Sequence, residues 1–123
     1  MRDRAVRMNA SILLSITGDP RKSSKPAEAI RIAAGLAAGK DLKVFVYLRG
    51  PAVLVLGAGN GDLIDEESMV RYLPSVADKN HPILVASGSP LLPLPGEEAA
   101  TFAEMGDTEL VRFMVKLDSI CSF

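Results

Sequence analysis

The chain has no tryptophan, one cysteine and one histidine among its 123 residues, and only two tyrosines and four phenylalanines. A single cysteine excludes an internal disulfide framework and a cysteine-rich zinc site, and it suits a reducing compartment, so the cytoplasm is the expected location. The one histidine, His81, has no second histidine or cysteine beside it, so no metal site is expected. It also stands at the opposite end of its apolar segment from Ser87 and Ser89, so no Ser-His-Asp triad can be assembled. Neither charge sign dominates: 14 basic and 15 acidic side chains give a net charge of −1. That balance offers no general attraction to nucleic acid or to an anionic membrane. No apolar run approaches the ~20 residues of a membrane span, and no internal repeat or low-complexity tract is present.

What is present is a composition of 48% hydrophobic and 24% charged residues. A chain of this length is expected to form one domain over residues 1–123, burying about two-thirds of its unfolded surface. The opening stretch superficially resembles a secretion signal, because Arg2, Arg4 and Arg7 precede apolar residues. The run is short, broken by serines and without a clear cleavage site, so it reads as an extension followed by a strand. Residues 1–9 are expected to be flexible, and Met8 is as suitable a natural start as Met1.

Three apolar runs carry the strand signal: Ser11 to Thr17, Leu42 to Leu48 and Pro82 to Ala86. Between the first two, Pro26 opens an alanine-rich helix with Ser24 or Lys25 near the cap, and Gly39 closes it. That helix is long enough to serve as a parallel crossover. Pro51 to Leu56 begins too soon after the second strand to be a parallel neighbour, so a short buried helical turn is expected, with a hairpin strand as the alternative. Asp65 to Lys79 has helical spacing that Pro74 must kink or restart. Thr101 to Met105 reads as a short edge strand, Asp107 to Lys116 as a helix, and the closing segment from Leu117 as a brief strand. The fold class is therefore α/β with a mainly parallel sheet.

Several local patterns invite chemistry. Gly57 to Asp62 follows an apolar run with glycines at Gly57 and Gly59, but Asp62 stands where a dinucleotide fingerprint needs its third glycine, so a turn is the preferred reading. Gly18 to Lys25 offers Arg21, Lys22 and Lys25 before a helix, yet lacks the ending of a nucleotide-binding loop. Asp65, Glu66 and Glu67 read as favourable charges at a helix N-terminus. Cofactors are not expected. Gly18, Arg49 and the turn Ser87, Gly88 and Ser89 follow the first, second and third main strands. They should converge on one pocket at the carboxyl edge, with Arg49 as the anion contact. The rival reading of Arg49 is an intersubunit or surface ion pair.

The order of elements, the Arg49-Gly50 turn, the Val85 strand with its small-residue turn, and the ending Leu117-Asp118-Ser119-Ile120-Cys121-Ser122-Phe123 together resemble the DsrE/DsrF-like family, which includes the TusD-type sulfur-relay subunits. The resemblance spans Ala10 to Phe123. It implies a three-layer α/β/α fold with about five strands, assembled as a homo-oligomer, a trimer or a hexamer, with a sulfur-relay protein as a further partner. Catalytic members of the family carry sulfur on a cysteine just after the strand equivalent to Pro82 to Ala86. Here Ala86, Ser87, Gly88 and Ser89 follow instead, and a serine hydroxyl cannot form a persulfide.

Cys121 is the remaining thiol, and in an apolar closing strand it is expected to be a buried small hydrophobe. The favoured reading is a noncatalytic DsrE-like binding or assembly module. The alternatives are a sulfurtransferase using Cys121 or a cysteine-bearing partner, and a small-molecule or nucleotide-binding α/β domain.

Overall fold

The computed structural model describes residues 10–39, 41–59, 61–77, 81–88 and 102–123. The N-terminal extension, the proline-rich connection from Leu91 to Gly96, and Ser89 lie outside the described residues. The described elements are strand β1 (Ala10–Ile16), helix α1 (Lys25–Ala37), strand β2 (Leu42–Leu48), a 3-10 helix (Gly50–Gly57), helix α2 (Glu66–Val76), strands β3 (Ile83–Ala86) and β4 (Phe102–Met105), helix α3 (Asp107–Met114) and strand β5 (Ser119–Ser122). The strands form one sheet in the order β4-β3-β2-β1-β5, and every pair is parallel.

The long partners β1 and β2 pair over their full length, from Ala10 opposite Leu42 to Ile16 opposite Leu48. Successive side chains on a strand point to opposite faces, so adjacent leucines feed different cores. Leu14 and Ile16 join α1, the 3-10 helix and α2 on one face, through Ile30, Val53, Leu56, Met69 and Leu73. Leu13, Tyr47 and Leu84 face α3 on the other, against Leu110, Phe113, Met114 and Leu117. Phe45 meets the edge of the Phe113 ring at 4.9 Å between centroids. Two covered faces explain why β1 and β2 read as continuous apolar runs. Right-handed crossovers demand this arrangement: the sheet grows from β1 to β2 on one side of β1, then α3 carries the chain back across the other face to β5.

The segment Pro51 to Leu56 is the expected buried helical turn, with Ala52, Val53, Val55 and Leu56 all fully buried. Pro51 and Leu54 are half-buried, so the apolar run is covered on most of its surface. Pro74 neither splits nor restarts α2, which continues for two residues beyond it and then stops. The helix end is close enough that few hydrogen bonds are lost. No helix among the described residues is long and apolar enough to cross a membrane.

Leu13 is fully buried between the sheet and α3. Leu13→Ala is expected to lower the unfolding free energy by about 2–5 kcal/mol. Urea denaturation of the variant checks this value.

Candidate active-edge site

The parallel register brings the carboxyl ends of β1, β2, β3 and β4 to one edge of the sheet. The chains leaving β1 and β2 turn into α1 and into the 3-10 helix and α2 on one face, whereas the chain leaving β4 turns into α3 on the opposite face. Ligands of open α/β sheets bind where connections diverge in this way. β3, which carries Ser87 at its end, lies between β2 and β4.

Arg49 follows β2, and its backbone N–H donates to the Ile16 carbonyl at 3.1 Å, holding the ends of β1 and β2 together. Its side chain donates to the Tyr47 hydroxyl from Nε at 3.2 Å and from Nη2 at 3.1 Å. Nη2 also forms an ion pair with Asp107 at the start of α3. Because β3 separates β2 from β4, this pair bridges over the strand end that carries Ser87. The Tyr47 hydroxyl and then the Asp107 carboxylate raise the Arg49 pKa above its ordinary value, so the guanidinium is always charged.

Ser87 is exposed, and its N–H donates to the Met105 carbonyl at 3.1 Å, extending the β3–β4 pairing into the turn. Gly88 adopts a φ of 75°, a conformation that disfavours side chains, and its N–H donates to Glu104 Oε1 at 3.2 Å. At the start of α3, the Gly106 N–H donates to Glu109 Oε1 at 3.3 Å. Glu104, Asp107 and Glu109 thus give the β4–α3 turn an acidic character opposite Arg49. Gly18 follows β1, packed beside Pro26, while the preceding Thr17 N–H donates to the Phe123 carbonyl at 3.0 Å.

Sequence reasoning singled out Gly18, Arg49 and the Ser87-Gly88 turn but missed Tyr47, Glu104 and Asp107. The available signal for Tyr47 was its place two residues before Arg49, on the same strand face. Nothing local in the sequence pairs Arg49 with Asp107, 58 positions away.

Cys121 is exposed rather than buried. The expectation failed because β5 is an edge strand whose four residues are all exposed. Its register places Cys121 opposite Leu14, three strands from β3. At the usual spacing between strands, that is about 14 Å across the sheet from the Ser87 strand.

Two other expected features also resolve. The glycine turn beyond the 3-10 helix is held by α2: the Gly59 N–H donates to Glu66 Oε2 at 2.6 Å, and the Gly61 N–H donates to the other carboxylate oxygen. Glu66 therefore clamps a loop as well as standing at a helix start. His81 lies at the amino edge, its ring 5.5 Å from Phe45, beside a 190 Å³ cavity that Lys43 and Ser75 also line. Among the described residues, no group of three histidine, cysteine or acidic side chains could hold a metal ion.

Beside Gly18, Asp19 accepts hydrogen bonds from Arg21 through the side-chain Nε at 3.0 Å, Nη2 at 2.9 Å and the backbone N–H at 2.9 Å. The side-chain bonds and then the backbone bond lower the Asp19 pKa to about 2.

The ychN protein of E. coli, whose crystal structure is known, is similar in fold: the TM-score is 0.68 at 20% sequence identity, over 93% of this chain and 99% of that one. The chain therefore has the three-layer, five-stranded DsrEFH-like architecture. No family model and no curated protein matches the sequence.

Two outcomes follow from this geometry. A carboxylate with a depressed folded-state pKa contributes stability above its unfolded value and loses it as pH falls through the folded one. Order in the loop after β1 should therefore persist at pH 4 and fade as pH approaches about 2. Nuclear magnetic resonance titration of Asp19 checks this, and Arg21→Ala should move its midpoint upward. The Arg49–Asp107 pair is solvent-exposed, at 47% and 81% of the two side chains. A double-mutant cycle with Arg49→Ala and Asp107→Ala should give a coupling of no more than ~1 kcal/mol in stability.

Proposed function

We propose that the chain is a noncatalytic DsrE-like binding or assembly module associated with sulfur relay. One observation carries this reading: β3 ends in Ala86, Ser87 and Gly88, with no thiol where the resemblance requires the carrier. The carboxyl edge instead offers the exposed Ser87 hydroxyl next to a permanently charged guanidinium. Such donors bind an anion without reacting with it. Arg49 Nη1 has no partner among the described residues, while Nε and Nη2 are held by Tyr47 and Asp107. Gly18, Arg49, Ser87, Gly88 and Ser89 are the proposed ligand contacts, and a small molecule with one anionic group is the ligand class they suit.

Homo-oligomeric assembly belongs to the same proposal, supported by large apolar side chains left exposed on α3 and β5. The rival reading, sulfur transfer through Cys121, draws support from the accessibility of that thiol. Its distance across the sheet from Ser87 counts against it, because the two groups cannot serve one small substrate.

After incubation with a persulfide donor, the purified protein is expected to carry no cyanide-labile sulfur. Mass spectrometry reads the result. Stoichiometric gain of one sulfur atom, abolished by Cys121→Ser, would reverse the assignment in favour of a sulfurtransferase.

A further inference from the structure

A guanidinium presents paired N–H donors along two edges, one through Nε and Nη2 and one through Nη1 and Nη2, and either edge can hold both oxygens of a carboxylate. At Arg49 the first edge is closed. Nε and Nη2 both donate to the Tyr47 hydroxyl, on a side chain that packs with Leu13 and Leu84 and leaves its residue only 2% exposed. A ring packed this closely does not swing away, so it fixes the plane and the aim of the guanidinium.

The second edge is half used. Asp107 engages Nη2 through Oδ1 alone, and Nη1 has no partner among the described residues. The Asp107 side chain is 81% exposed, so it changes conformer rapidly and its ion pair is weak. Ser87 stands beside it: a side-chain carbon placed on Gly106, the residue before Asp107, would lie 4.0 Å from Ser87 Oγ. Arg49 therefore has one fixed partner, Tyr47, and one exchangeable partner, Asp107.

We propose that Asp107 is the resident counterion of the Arg49 site, and that the ligand is a zwitterion. Its carboxylate or sulfonate replaces Asp107 by taking Nη1 and Nη2 together, and its ammonium group pairs with the displaced Asp107 carboxylate. This rests on the anion-binding reading of the same site and names its ligand class. The incoming anion forms two charge-assisted hydrogen bonds where Asp107 forms one. Tyr47 keeps the guanidinium aimed while the counterion changes. The displaced carboxylate stays tethered at the start of α3, so an anion alone leaves two like charges side by side. A molecule with an ammonium one or two carbons from its anion turns one ion pair into two. Amino acids and short amino sulfonates have that spacing. Dianions are disfavoured, because Glu104 and Glu109 add negative charge to the same turn.

The test uses the full chain, nuclear magnetic resonance titration with acetate, glycine and methylammonium as probes, and circular dichroism to verify that each variant folds. Wild-type protein is expected to bind glycine about fivefold more tightly than acetate, with methylammonium the weakest. Asp107→Asn should bind acetate about fivefold more tightly than wild type does and should lose the preference for glycine. Glu109→Gln removes a charge from the same turn without touching Arg49. Its acetate affinity should stay within about twofold of wild type.

Equal gains in acetate affinity in Asp107→Asn and Glu109→Gln would overturn the exchange, because net charge alone then accounts for both. Acetate bound by wild type as tightly as glycine would overturn the zwitterionic class. Either result leaves anion binding at Arg49 standing. Failure of that underlying reading has a different signature: no probe moves the Arg49 Nε–H resonance in wild type or in Asp107→Asn, and the proposal falls with it.

Discussion

The parallel pairing of β1 with β2 over seven consecutive residues is the constraint on which the rest of the molecule depends. It fixes which of two neighbouring leucines enters each core, and a slip of one residue would exchange both faces at once. It also sets Arg49 level with the end of β1, from where the guanidinium can reach across β3 to the start of α3. The candidate site is thus a consequence of strand register. Its ion pair is exposed and its Arg49–Tyr47 hydrogen bonds are part-buried, and they decorate an edge that the hydrophobic layers have already built.

The same topology that creates the site places β5 at an edge of the sheet, with no described strand on its outer side. A sheet that grows in one direction from β1 and then returns by a single helix must finish with a new edge beside β1. Four exposed residues without charge or proline occupy it. Among the described residues, the outer backbone groups of this strand have no strand partner. The carboxyl edge and the β5 edge are distinct surfaces.

Much of the fold was legible because the hydrophobic pattern is strong where burial is complete. The runs at β1, β2 and β3, the alanine-rich α1 and the buried turn after Gly50 all announce themselves by composition and spacing. The candidate site was legible in part: residues directly after strands are placed by the class of fold, which is why Gly18, Arg49 and Ser87 could be named. Asp107 and Glu104 could not be named this way. They come from a late edge strand whose position next to β3 is a tertiary fact.

The sequence by itself determined the α/β class, the mainly parallel sheet and the absence of a thiol after β3. These follow from periodicity, crossover length and residue identity, all of which are local. Only the tertiary structure decided that Arg49 engages Asp107, that Glu66 clamps a glycine turn, and that Cys121 is exposed. A short run such as Ser119 to Ser122 has the same local preference for a strand in the centre of a sheet or at its edge. What separates the two cases is whether another strand lies alongside, and that is settled by the path of α3 across the whole sheet.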